Sequence, residues 1–335
     1  MLSRTADHLF WLARYMERAE NTARMLDVNY QTSLLPQSAA VAERGWRGLL
    51  SISELTADYE TRYGAVEAQR VQDFMVRDER NPSSILSCLL GARENARAMR
   101  GSLTTEVWET TNQTWLEFKR LIADGLLARD PSALCEWVKF RSHLSRGVAA
   151  GTMLQDEAFN FMRIGTFLER ADNTARLLDV KFQVNAVSAE SKAEERAANA
   201  IANASANGHA HASSGARDFY HWSAVLRSVS GFEIYRKVYS NVILPDKVAE
   251  LLILRSDMPR SLAHCTGHLL INLKRVANDQ SADTLRQAGR IHADLEYGRI
   301  DDIMRPGLHV FLNQFLDRIG TLGMGISRDF LVPEA

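Results

Sequence analysis

Glu17, Glu20, Asn21, Arg24, Asp27 and Gln31 fall on one face of a helix at about 100° per residue. Grouped carboxylates of this kind could do general acid–base work once neighbours shift their pKa values, and an arginine among them offers bidentate recognition of a carboxylate or phosphate. The same set recurs as Glu169, Asp172, Asn173, Arg176, Asp179 and Gln183. A second polar constellation is the run R-E-N-A-R (Arg93, Glu94, Asn95, Ala96, Arg97), with Arg100 one turn on. A third places Trp108, Glu109 and Asn112 beside Trp115 on neighbouring helical turns.

Other chemistries find less support. The chain has neither G-x-x-x-x-G-K-[ST] nor G-x-G-x-x-G, so the usual phosphate-cradling loops are absent from the sequence. It has no G-x-S-x-G, and His264-Cys265 is the one place where a cysteine adjoins a histidine. A di-metal carboxylate bundle wants paired Glu-x-x-His motifs, and the nearest approach is Asp218-x-x-His221. His264 and His268 stand one helical turn apart without the H-E-x-x-H context, and His209 and His211 lack carboxylate or thiolate company. Neither pair reads as a metal site, and no metal or cofactor is expected.

The first polar face belongs to a stretch written twice. Glu17 to Gln31 reads E-R-A-E-N-T-A-R-M-L-D-V-N-Y-Q and Glu169 to Gln183 reads E-R-A-D-N-T-A-R-L-L-D-V-K-F-Q, with 11 of 15 positions identical at an offset of 152. Behind each polar face runs an apolar stripe: Leu12, Tyr15, Met16, Ala19, Ala23, Leu26 and Tyr30 in one, Ile164, Phe167, Leu168, Ala171, Ala175, Leu178 and Phe182 in the other. An ordinary charged face is solvated and held by i,i+4 pairs worth tenths of a kcal/mol. Such a face has no physical need for the same Asn, Arg and Asp twice. Repetition amid divergence therefore argues for partial burial, where partners are fixed and unpaired charge is costly. Spacing leaves open whether that burial serves architecture or a ligand. The two faces, with the Arg93–Arg97 run nearby, are expected to meet in a network lining a central groove.

The elements that must position these residues are helices, because all seven prolines can be placed at boundaries. Helices are expected over about 3–34, 41–63, 68–77, 104–127 and 131–149, with another opened by Asn81-Pro82 as cap and first residue. The second copy of the motif lies on a helix over about 154–184. Residues 186–216 are rich in Ala, Asn, Ser and Gly without apolar periodicity and read as a flexible linker, helical for a turn or two over 189–202. Beyond it Trp46, Leu50, Tyr59 and Tyr63 recur as Trp222, Leu226, Tyr235 and Tyr239, now displaced by 176. The expected architecture is all-α: two diverged tandem units, 1–152 and 153–335, packed into one helical assembly with an insertion at about 186–216. Arg93–Arg97 aligns with Leu270–Lys274, mostly apolar, so the first unit is the better place for a single site.

Composition narrows the setting. With 40 Lys plus Arg against 41 Asp plus Glu in 335 residues there is no basic field for nucleic acid or an anionic membrane. Cys88, Cys135 and Cys265 are far apart, which offers no disulfide framework and suits reduced thiols. Charges throughout the first twenty residues exclude a secretory apolar region, and no stretch is long and apolar enough to span a bilayer. A soluble cytoplasmic protein is expected.

Several motifs together resemble the Alpha-E family, a bacterial all-helical domain. They are L-S-R-T-A at Leu2–Ala6, R-Y-M-E-R-A-E-N-T-A-R at Arg14–Arg24, N-P-S-S-I at Asn81–Ile85, A-R-E-N-A-R at Ala92–Arg97, and W-E-x-x-N from Trp108 to Asn112. Domains of that family are encoded beside, or fused to, circularly permuted ATP-grasp proteins, often with transglutaminase-like or proteasome-like hydrolases. The resemblance thus implies a setting of ATP-dependent amide ligation and peptide modification, and it transfers no catalytic residue. The first reading is a non-catalytic partner or scaffold of an ATP-grasp ligase, binding the ligase or presenting its peptide substrate. The alternative is a ligand-binding domain or enzyme of peptide and amide metabolism that uses the Glu/Asn/Arg cluster, and a bundle metalloprotein ranks last.

Overall fold

The computed structural model of the protein describes residues 1–202 and 210–331, with side chains over 1–182 and 219–331. Every regular element among the described residues is helical. The first series is α1 (Ser3–Ser33), α2 (Ala39–Ile52), α3 (Thr56–Tyr63), α4 (Ala68–Val76), α5 (Ile85–Ala98), α6 (Thr105–Ala123), α7 (Leu126–Arg129) and α8 (Pro131–Thr152). The second is α9 (Glu157–Ala202), α10 (Ala210–Ser228), α11 (Phe232–Tyr239), α12 (Pro245–Ile253), α13 (Leu262–Arg275), α14 (Ala282–Glu296), α15 (Ile300–Met304) and α16 (Leu308–Phe330). No helix among the described residues is long and apolar enough to cross a membrane.

Local chemistry sets most of the boundaries. Asp130 accepts the Ala133 amide at 2.9 Å with Pro131 in the first helical position, as the sequence predicts. Four expectations are corrected. The helix expected over 41–63 is two helices, because the chain turns at Glu54, whose φ of 56° lies in the left-handed region. Asn81 does not cap α5: it is buried, its amide donates to the Phe74 carbonyl at 3.0 Å, and Ser84 is the cap, accepting from the Ser87 amide at 3.1 Å. The stretch over 104–127 is likewise interrupted, at Gly125 with φ 72°. The linker expected over 186–216 is helical from 186 to 202 and again from 210, because Ala, Glu, Lys and Arg are strong helix formers even where no apolar stripe is present. The rest of that stretch, the expected mobility and insertion, and the side chains of Gln183, His209, His211 and Asp218 lie outside the described residues.

α1 and α9 form the central pair. α5 and α8 flank α1 and are bridged by α6, while α13 and α16 flank α9 and are bridged by α14. α2 lies against both α9 and α1, and α10 against both α1 and α9. The two central helices approach so closely that a β-carbon at Gly165 would overlap the carbonyl oxygen of Phe10. Buried aromatics anchor the smaller helices in matching fashion. Tyr59 donates its hydroxyl to the Ala65 carbonyl and accepts from the Glu67 amide, and Tyr235 does the same with Val242 and Leu244.

Candidate functional site

The close approach of α1 and α9 brings the polar faces of both helices into the interior. Glu17 is 1 % exposed and Glu20 is fully buried. Arg170 grips Glu17 with two parallel bonds, Nε to Oε1 and Nη2 to Oε2, both 2.8 Å. Across the same interface Glu169 receives Arg18 Nε at 2.6 Å and Arg14 Nε at 2.8 Å. The dipeptide Glu17-Arg18 of one helix thus exchanges ion pairs with Glu169-Arg170 of the other.

More distant elements complete the network. Arg260, in the turn before α13, donates to Glu17 at 3.0 Å, to Asn21 Oδ1 at 2.8 Å and to Glu20. Arg146 on α8 reaches Glu17 at 3.0 Å and Glu20, and Ser142 donates to Glu20 at 2.7 Å. Arg24 binds Glu20 at 2.8 Å and donates to Ser230 Oγ at 2.6 Å. Asp27 is held separately by Ser132 at 2.6 Å, Gln31 at 3.0 Å and Lys139 at 2.9 Å. The amide nitrogen of Asn21 is buried without a partner among the described residues.

Burial by itself would raise the carboxyl pKa values, but the guanidiniums outweigh it. Arg170 and Arg260 hold Glu17 below its ordinary value, and Arg260, Arg146 and Arg24 hold Glu20 well below. Glu169, against Arg14 and Arg18, is brought down from 4.5 to about 2. A carboxylate locked in its ionised form is a poor general acid and a weak base at neutral pH. The cysteines are no better as nucleophiles: burial pushes Cys88 and Cys265 up to about 12 and Cys135 higher still.

These shifts carry a pH dependence. A carboxyl whose folded pKa is depressed contributes stability that is fully present above its unfolded pKa and is lost as pH falls towards the folded value. For Glu169 the window runs from about 4.5 down to about 2 and is worth roughly 3 kcal/mol. The urea midpoint should therefore fall steeply between pH 5 and pH 3, and Glu169→Gln should flatten that slope; equal slopes in the two proteins would refute the assignment.

The second polar face is less enclosed. Arg176 pairs with Asp172 at 2.8 Å and also reaches Glu54, and both it and Asp172 are half-buried. Asp179 meets His309 Nδ1 at 2.6 Å, and Asn173 turns its amide towards the Met25 sulfur at 4.0 Å.

The Arg93–Arg97 run does not join this network. Arg93 bonds Asn112 at 2.8 Å, Arg93 and Arg97 both pair with Glu94, and Asn95 bonds His8 at 2.7 Å. Arg100 lies 4.9 Å above the Trp108 ring, and Glu109 is exposed. This patch faces outward on α5 and α6, because the inner face of α5 is taken by Ile85, Cys88, Leu89, Ala92 and Ala96. Sequence reading missed Arg14, Arg18, Arg146, Arg170 and Arg260. The repeated E-R dipeptide could have found Arg18 and Arg170, since both copies write it in the same register.

His264 and His268 lie 4.4 Å apart between ring centroids with their planes tilted by 55°, and Phe167 stacks parallel to His268 at 4.7 Å. Burial, His264 and two arginines bring His268 down to about 4. No group of three metal-ligating side chains comes together among the described residues.

An uncharacterized protein of Mycobacterium bovis is 30% identical over 188 residues, which is 50% of this chain and 21% of that protein. An uncharacterized protein of Mycobacterium tuberculosis strain H37Rv is 29% identical over the same length and the same shares. The matched part therefore makes up about a fifth of these curated relatives. No solved structure matches the chain. A family model described as "a predicted alpha-helical domain with a conserved ER motif" matches residues 1–331, and the two E-R dipeptides at the centre of this fold are bound to one another: the chain belongs to the Alpha-E family.

Proposed function

We propose that this chain is a non-catalytic helical partner of an ATP-grasp amide ligase, and that it binds the ligase or presents its peptide substrate through the outward-facing Arg93–Arg97 patch. The observation that carries this reading is a division of labour between the two polar motifs. The Glu/Arg cluster around Glu17, Glu20 and Glu169 is buried and its carboxylates are saturated by guanidiniums, so it serves to hold α1 against α9. Arg93 and Arg97, by contrast, share the single carboxylate of Glu94, and Arg100 lies over Trp108 on the same accessible face. Three guanidiniums and an indole suit an acidic peptide segment, because arginine pairs with carboxylates and stacks on planar groups.

The matching helix order after α1 and after α9 supports reading the chain as two tandem units, 1–152 and 153–335. Embedding of a similar segment in much longer mycobacterial chains fits a domain that works beside others. Three buried unpaired cysteines fit a reducing, cytoplasmic setting.

Co-purification with an ATP-grasp ligase tests the proposal. The double variant Arg93→Glu/Arg97→Glu should weaken that association at least tenfold while unfolding stays within about 1 kcal/mol of the parent, since these are surface pairs. No association in the parent would end the reading, and undiminished association in the variant would remove the patch from it.

A further inference from the structure

Between α1, α8 and α9 lies a cavity of about 150 Å³. Its apolar wall is built by Leu12, Met16, Phe159, Met162 and Phe167. Its polar side carries Arg146, Arg163 and Arg170 against a single carboxylate, Glu17. Glu17 is already saturated, and Arg170 is spent on it. Arg163 is different: its guanidinium lies 4.8 Å above the Phe167 ring and 5.7 Å from Phe159, it touches His268 Nδ1 at 3.3 Å, and no carboxylate pairs with it among the described residues. Ser145 stands on the same wall, where its hydroxyl can serve a guest.

The charge balance around the cavity has the same sign. Ion pairs centred on Glu17, Glu20 and Glu169 set three carboxylates against six guanidiniums: Arg14, Arg18, Arg24, Arg146, Arg170 and Arg260. The chain as a whole is nearly neutral, at −1. Donors are also in excess at the edge of the network. His143 receives Arg24 at Nε2 (3.2 Å) and Arg146 at Nδ1 (2.7 Å), yet a neutral imidazole has one lone pair, so one of these contacts sets donor against donor. Burial, followed by Arg170 and Arg275, pulls the Arg163 pKa down, which marks a cation lacking a counter-charge.

We infer that this cavity binds a small organic monocarboxylate, its apolar body against Phe159, Met162 and Phe167 and its carboxylate on Arg163. The volume sets the body at about the size of a benzene ring or a branched alkyl group, since an apolar cavity of about 150 Å³ accepts benzene. Arg163 supplies the planar fork that a carboxylate fits, and its position over the two phenyl rings holds that fork at the apolar boundary. A free acid and the C-terminal residue of a peptide share this chemistry. The inference rests on the cavity and not on the Arg93–Arg97 patch, so either can fail without the other.

Isothermal titration calorimetry on the full chain tests it with 3-phenylpropionate, the peptide Gly-Gly-Phe, toluene and inorganic phosphate as probes. At least one of the two carboxylates should bind with Kd below about 1 mM, and at least tenfold more weakly in Arg163→Met, a charge-to-apolar change at a half-buried position. Ala150→Phe, which fills the cavity from an exposed wall position, should abolish binding by bulk alone. Tighter binding of Gly-Gly-Phe supports a peptide C-terminus as the guest, and tighter binding of 3-phenylpropionate supports a free acid. The proposal is overturned if neither carboxylate binds, if Arg163→Met binds as the parent does, or if toluene or phosphate alone binds as tightly.

Discussion

Glu20→Gln should lower the unfolding free energy by about 3–5 kcal/mol, whereas Asp172→Asn, at the equivalent position of the second copy, should cost no more than about 1 kcal/mol. The difference follows from burial and partners. Glu20 is fully buried and faces Arg24, Arg146 and Arg260. Without its charge, four guanidiniums (those three and Arg170) would be balanced by Glu17 alone. Asp172 pairs with Arg176 where both are about a quarter exposed, and water can replace the lost partner. Arg260→Gln sharpens the comparison. It trims the cationic excess, and Glu17 and Glu20 each keep two other guanidiniums, so its cost should be smaller than that of Glu20→Gln. Urea unfolding of the three variants measures the order directly. If Asp172→Asn proved as costly as Glu20→Gln, or Arg260→Gln more so, net buried charge would not be what governs this core.

A second large effect is expected at Gly165. Alanine in a helix interior is favoured over glycine by about 1 kcal/mol, so Gly165→Ala would be stabilising on an isolated helix. Here the new β-carbon would overlap the Phe10 carbonyl oxygen, a backbone atom that cannot rotate away. Overpacking of a filled interface costs roughly 1–3 kcal/mol and sometimes more, and forcing α9 away from α1 would also stretch the Glu17–Arg170 and Glu169–Arg18 pairs. The net result should be a clear loss of stability. Gly147→Ala on α8, where nothing lies near the added carbon, should be neutral or stabilising by up to about 1 kcal/mol. Thermal melts of the two variants should move in opposite directions; a melt of Gly165→Ala at or above the parent would show that the helices can part at no cost.

Much of the fold was legible because helical periodicity is local. Pro131 after Asp130 announced α8 correctly, and along α1 the apolar stripe is buried at Leu12, Met16, Ala19, Ala23 and Leu26 and partly buried at Tyr15 and Tyr30. Errors arose where local signals compete. Asn81-Pro82 has the form of a helix start, but the buried Asn81 amide is claimed by the Phe74 carbonyl, and the helix opens three residues later. The stretch over 186–202 has no apolar periodicity and reads as linker, yet it is helical, as its Ala, Glu and Lys content favours.

The candidate site divides along the same line. From the sequence alone came the polar face of Glu17, Glu20, Asn21, Arg24 and Asp27, its second copy, and the inference that a face written twice is not free in solvent. The tertiary structure decided who pairs with whom. Arg146 meets Glu20 across 126 residues of chain and Arg260 meets it across 240. It also turned the Arg93–Arg97 run outward, away from the network it was expected to join. Periodicity fixes the face on which a side chain lies, because 3.6 residues make a turn whatever surrounds the helix. The partner of a buried charge depends instead on where helices cross and how closely, and at this crossing a single glycine lets α9 lie on α1.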